Sequence, residues 1–338
     1  MNKQEKILLI LFTLFFATLY FSSINFINLV VTGILFIYSM SLTTLQEKLR
    51  LLKERKFIQG AIVFFLFLVV STILSENFDK GLHYLKLRIP LLLFPISIGL
   101  ISLRTAFKEK VLLSFALTTV VVCFASLVYG IYNYTVKGQT DALYNDNLTS
   151  LLEQQSVYVA VMVNFAIFIL GYLVVSKKAP KPFLLALGLL FLIFVAYLLG
   201  SRINLGVLAL VTVSSGFYYL ISNKKVLETA TLCLGLLMAS IVLYKVQPQM
   251  LERYKELAYS KYEFDHMGVE SHYGMKLSED QWNGANFRLA AWQCGWELFN
   301  EHPFVGVGLG DKKDALFAKY EQKNFRFAIE TNKNVHNN

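Results

Sequence analysis

The sequence predicts an all-α fold: a polytopic bundle of transmembrane helices carrying a large extracytoplasmic loop that contains interfacial helices. Three observations lead there. Hydrophobic residues make up 55% of the 338 and charged ones only 16%, with a mean hydropathy of +0.50, outside the range of soluble globular domains. Apolar windows of the roughly 20 residues needed to cross a bilayer recur along the chain. After the last window, from about residue 246, the composition turns polar as far as Asn338. The chain therefore divides into a bundle, 1–245, and a loop, 246–338.

The windows lie near 6–22, 24–42, 57–75, 84–103, 111–134, 156–176, 183–200, 202–222 and 226–245, nine spans in all. The first follows Lys3 and Lys6 but lacks a small-residue cleavage site, and the second begins at once, so it is a retained span rather than a signal peptide. A cytoplasmic N-terminus puts fifteen Lys and Arg residues on inner segments, among them Lys48, Arg50, Lys53, Arg55 and Lys56. The short outer segments hold five: Lys80, Lys86, Arg88, Lys137 and Arg202. That asymmetry sets the orientation and turns the terminal loop to the extracytoplasmic side. The net charge of +9 is thus sorted by side of the membrane rather than gathered into a nucleic-acid patch. Nine spans that start inside leave the C-terminus outside, which leads to the expectation of one or more further helices beyond Asn338.

Between and after the spans, three segments have a pattern of their own. From Thr43 to Lys56, charges alternate with Leu45, Leu49, Leu51 and Leu52, the pattern of a short amphipathic helix on the cytoplasmic surface. The outer connection 135–155 is rich in turn formers, including Gly138, Asp141, Asn145, Asp146 and Asn147. In the terminal loop, Arg288, Trp292, Gly295, Trp296 and Phe299 fall at i, i+4, i+7, i+8 and i+11. They share one helical face, which predicts an interfacial helix over 286–300 with its Trp residues at headgroup level. Pro303 ends it, and the glycines beyond predict an extended or turning segment.

Ionisable groups are nearly absent from the middles of the windows, which counts against an ion-coupled transporter or proton relay. The cations that touch the membrane, Arg88 and Arg202, lie toward the outer leaflet and form a candidate cluster with Arg288. A guanidinium presents a planar fork of donors that matches phosphate oxygens in pairs, so converging arginines suit a diphosphate. The same residues near helix ends also snorkel to the interface with no further role. His336 has the chemistry of a general base, since a neutral imidazole near pKa 6.5 can accept a proton from an attacking hydroxyl. His83, His266, His272 and His302 read as ordinary surface residues, and the acids Glu270, Glu279, Asp280, Glu297, Glu301 and Asp311 as solvated faces. No metal motif occurs, the Gly306-x-Gly308-x-Gly310 run is not the dinucleotide fingerprint, and no P-loop is present. Cys123, Cys233 and Cys294 read as packing residues, not as a disulfide framework.

Four features occur in order: Ser201-Arg202 at the outer start of a span, Arg288 leading a helix with Trp292, the His-Pro-x-x-Gly-x-Gly run of His302 to Gly308, and a closing His336-Asn337. Together they resemble the O-antigen ligase and polymerase superfamily, by motif over residues 200–338 and by topology elsewhere. The resemblance implies a polytopic glycosyltransferase of the bacterial inner membrane, similar in layout to the GT-C class, with its large loop in the periplasm. It implies a glycan donor on undecaprenyl diphosphate, a lipid A-core acceptor, and no nucleotide sugar, metal or other cofactor. Arg202 and Arg288 would then bind the donor diphosphate and stabilise the leaving group, Arg88 and Trp292 would complete the binding site, and His336 would activate the acceptor hydroxyl. A polymerase or a protein O-oligosaccharyltransferase of the same superfamily remains open, since they differ in acceptor and the acceptor groove has no readable signature. From another class, a transporter of lipid-linked glycan is the alternative.

Overall fold

The computed structural model describes residues 2–176, 181–224, 226–227, 264 and 284–335, and every regular element among them is a helix. Among the described residues, six helical segments are long and apolar enough to cross a membrane: Ser22–Ser41, Lys56–Ile73, Phe78–Gly99, Thr105–Lys137, Ser156–Val175 and Ile203–Ser222. Pro182–Leu198 is a shorter apolar helix. The protein is a multi-pass membrane protein. By contacts it divides into two compact units, the first comprising Met1–Lys56 and Phe94–Thr229, the second Phe57–Leu93 and Ala230–Asn338.

In the first unit, α1 (Lys3–Leu19) starts in a capping box in which the Asn2 side chain accepts from Glu5 N and the Glu5 carboxylate accepts from Asn2 N. It packs with α2 (Asn25–Ser41) and the long α7 (Thr105–Lys137) around Leu8, Phe12, Leu35 and Phe107. After α2 in the chain comes α3 (Leu45–Glu54), capped by Thr44, with Leu45 and Leu49 exposed and Leu51 buried. This is the amphipathic helix expected over Thr43–Lys56. A larger core joins α7 to α9 (Ser156–Val175) and α10 (Pro182–Leu198). Ala116, Cys123, Ala160, Ala166 and Ala196 are buried there among larger aliphatics, and small residues let apolar helices approach closely where no water drives them together.

The connection 135–155 contains a short helix, α8 (Asn145–Leu148), and closes on itself. The Asp146 carboxylate accepts from Ser156 N at 2.6 Å, Asn147 Nδ2 donates to Asp141 at 2.7 Å, and Gln154 Nε2 donates to the Leu19 carbonyl at 3.1 Å. Asn145 reaches the turn before α11 (Arg202–Ser222), where a Cβ at Gly200 would run into its side chain. The first turn of α11 is fixed from the other side by Asn204. Its Nδ2 donates to the Val157 carbonyl at 3.1 Å and to Ser201 Oγ at 2.8 Å, while its carbonyl accepts from Asn164 Nδ2 at 2.7 Å.

The second unit contains α4 (Lys56–Ile73), α5 (Phe78–Leu87) and the first turn of α6 (Pro90–Gly99). The span expected over 84–103 is present as the segment Phe78–Gly99, shifted toward the N-terminus and interrupted at Arg88 and Ile89. Two causes combine. Ile89 precedes Pro90, and a proline disfavours the α conformation in the residue before it. The segment also begins earlier than its hydropathy suggests, because Asp79, Lys80, His83 and Lys86 make α5 amphipathic.

The same unit holds three helices from the terminal region: α12 (Gly284–Glu301), α13 (Lys312–Gln322) and α14 (Arg326–Glu330). Phe287, Ala290, Ala291 and Cys294 of α12 are buried against Leu316, Tyr320, Phe325 and Ala328. The Phe287 and Phe325 rings lie 5.5 Å apart, and those of Tyr320 and Phe325 5.2 Å. Burial pushes the Cys294 thiol up to about 11, which fits a packing role. The windows up to residue 222 fall on apolar helices, whereas 228–245, nearly all of the last window, and most of 246–283 lie outside the described residues.

Replacing Asn204 by Ala removes its two side-chain bonds, to the Val157 carbonyl and Ser201 Oγ, from the first turn of α11. Interhelical hydrogen bonds in membranes contribute roughly 0.6–1.7 kcal/mol, and a lower unfolding midpoint in detergent by that order is the expected result.

Candidate functional site

The His-Pro-x-x-Gly-x-Gly-x-Gly-Asp segment is not a free loop but a backbone dock on the turn between α4 and α5. Leu309 N donates to the Ser71 carbonyl at 3.3 Å, and Gly310 N donates to Ser75 Oγ at 2.9 Å. Asp311 closes the dock, its carboxylate accepting from Glu76 N and Asn77 N at 2.8 Å each. Those two amides lie at the start of α5, where exposed N–H groups and the helix dipole favour an anion.

The glycines follow from this contact. Gly308 has φ +89°, which other L residues rarely adopt. At Gly310 a Cβ would run into the Asn77 carbonyl oxygen and stand 3.0 Å from Gly81 N, so only a bare backbone can approach this closely. Asp311, expected on a solvated face, is therefore a structural carboxylate. Glu301 and Glu297 also have partners, pairing with Lys319 at 2.5 Å and Lys323 at 2.8 Å to brace α12 against α13.

Beside the dock runs an open groove of ≈ 940 Å³. Glu76, Asp79, His302, Val305 and Asp314 are among its lining residues. His302, expected to be unremarkable at a helix end, thus faces a cavity with carboxylates around it.

The residues singled out by sequence lie as follows. Arg88 ends α5 at the helix break, half-buried, with Nη1 donating to the Tyr84 carbonyl at 2.9 Å and its guanidinium carbon 5.9 Å from the Tyr84 ring centroid. Arg288 is exposed on α12, and among the described residues it meets no carboxylate. Trp292, one turn further on, is also exposed, and its Nε1 donates to the Val335 carbonyl at 3.1 Å. Val335 further approaches Gly295, where an added Cβ would meet it at 3.4 Å. The peptide immediately before His336 is therefore tied to the face of α12 that bears Arg288 and Trp292. His336 itself and the Arg202 side chain lie outside the described residues. Arg202 is the first residue of α11, whose start is fixed by Gly200, Ser201 and Asn204 as described above.

α12 has two faces. The one recognised from sequence, with Trp292, Trp296 and Phe299, is exposed by more than half at each of these rings. The opposite face, Phe287, Ala290, Ala291 and Cys294, carries the core.

The sequence model of the O-antigen ligase family matches residues 150–338, more than half of the chain. The chain belongs to that family. The match takes in α9 to α14 and so includes Arg202, Arg288, the glycine dock and His336. No curated protein and no solved structure matches the chain. Membership carries with it a ligase or polymerase type of activity on lipid-linked glycans.

Sequence reasoning overlooked Asp311, Lys312 and Tyr84. A carboxylate directly after a glycine run was the available signal for Asp311, because such a run allows close backbone approach and the acid can then cap what is approached. Hydrogen bonds to a charged group contribute about 1.5–3 kcal/mol. Asp311→Ala is expected to lose an amount of that order and to open the 302–311 segment to protease, and Gly310→Ala to do the same by steric exclusion; unchanged proteolysis of both variants would show that the dock is not what holds the segment.

Proposed function

We propose that the protein is an O-antigen ligase-type glycosyltransferase of the bacterial inner membrane. It transfers a glycan from undecaprenyl diphosphate to a sugar hydroxyl of lipid A core, with inversion and without a metal. In this reading the N-terminus is cytoplasmic, residues 246–338 form a periplasmic region, and the layout is GT-C-like. The acceptor oxygen attacks the anomeric carbon while the bond from that carbon to the diphosphate oxygen breaks. The acceptor proton passes to the imidazole of His336, and the leaving diphosphate takes the bonding electron pair.

Charge accumulates on phosphate oxygens as the bond breaks, so fixed guanidiniums there stabilise the transition state more than the ground state. Arg288 and Arg202 have that role, with Arg88 and Trp292 as further donor-binding residues. The observation that carries the reading is the tether of Val335 to α12: the peptide leading to the proposed base is held along the helix that bears a proposed diphosphate ligand. Membership of the family supports it independently.

Deleting the protein and examining lipopolysaccharide on gels tests the reading in cells. A ligase predicts bare core with lipid-linked polymer accumulating, whereas core bearing a single repeat would identify a polymerase and overturn the choice of acceptor. With purified protein, lipid-linked glycan and core, Arg288→Ala is expected to slow transfer on the order of 10²–10³-fold, His336→Ala to abolish it, and chelators to leave it unchanged. A requirement for a divalent ion would refute the arginine mechanism.

A further inference from the structure

Lys312 stands where several physical rules disfavour a cation. It is the first residue of α13, at the positive end of the helix dipole, and Lys313 follows it. Its ammonium lies 3.9 Å from the centroid of the Tyr84 ring, the ring that Arg88 also approaches at 5.9 Å. Both side chains are half-buried. Cation–π attraction accounts for one charge on that ring but not for two that repel each other. Burial, and then the neighbouring Arg88, lower the Lys312 pKa.

Counter-charge is close but otherwise engaged. Asp311 faces Glu76 N and Asn77 N, and Asp314 pairs with Lys80 at 3.1 Å. Among the described residues neither Arg88 nor Lys312 meets a carboxylate within ion-pair distance. Because the Asp311 side chain is turned to α5, the first turn of α13 also has no side-chain cap. Polar exceptions of this kind concentrate at functional sites.

We propose that Lys312, Arg88 and the face of Tyr84 form a subsite for the diphosphate of an isoprenoid-linked donor, with Lys312 as a binding residue for that group. The proposal rests on the glycosyltransferase reading above for the donor's identity. A planar fork and a compact ammonium with three donors can divide between them the charge of two linked phosphates. A lipid rather than a free anion is favoured by position. The pair lies at the break within the apolar segment Phe78–Gly99, and Leu87, Ile89 and Leu91 beside the break are exposed, leaving apolar surface for a chain next to its phosphates.

The test uses the full chain in phosphatidylcholine nanodiscs and measures binding of geranyl diphosphate and of inorganic pyrophosphate, with thermal unfolding in parallel. Lys312→Gln is expected to weaken geranyl diphosphate at least tenfold, Lys312→Arg to retain most of the affinity, and Lys313→Gln to change nothing. The unfolding midpoint of Lys312→Gln should hold or rise, because a repelled cation has been removed; a merely structural lysine would lower it. Equal affinity of wild type and Lys312→Gln overturns the proposal. So does pyrophosphate binding as tightly as the prenyl compound, which would point to a free anion, or loss of Lys312 dependence in discs containing phosphatidylglycerol, which would point to a bulk headgroup. If the wild type performs no glycosyl transfer but binds geranyl diphosphate through Lys312, the enzymatic reading fails and the subsite stands. If transfer proceeds with an unchanged donor KM in Lys312→Gln, the subsite fails and the enzymatic reading stands.

Discussion

The second unit depends on one carboxylate meeting two backbone amides. Asp311 reaches Glu76 N across 235 positions of sequence and Asn77 N across 234, and these bonds bring the terminal segment onto the start of α5. What surrounds the contact serves it. Glycines at 308 and 310 leave room for backbone to approach backbone, and Ser75 receives the Gly310 amide in a buried position. Leaving the buried Gly310 amide without its partner would cost more than the bond itself contributes.

From that contact the positions of the other helices follow. α13 begins at the residue after Asp311, so its first side chain is brought to Tyr84. α13 in turn is joined to α12 by an aromatic core and two ion pairs. With one side of α12 occupied by that core, the side carrying Arg288 and the two tryptophans is exposed and receives the Val335 peptide. A buried face and an exposed face on one helix are complementary results of the same packing.

How much of this was legible in sequence depended on whether the signal was local. Apolar spans declare themselves by composition, and the exposed face of α12 by its 3.6-residue periodicity. α5 was hidden because its charges dilute the hydropathy of a segment that proline then breaks. α13 and α14 were missed because their buried residues, Leu316, Tyr320, Phe325 and Ala328, are sparse among charged ones. Lys312 was illegible for a stronger reason: it acts on a partner more than 200 residues earlier, and no window contains both; the glycine run before Asp311 signals a close approach but not what is approached. Arg88 and Arg288 could be singled out as residue types suited to phosphate, but their neighbours could not.

The bond from the Trp292 indole to the Val335 carbonyl makes the end of the described chain a passenger on α12. Tilting or sliding that helix carries Val335, and hence the attachment point of the imidazole-bearing residue after it, along with Arg288. A force on the helix would therefore reach that attachment point through the indole bond.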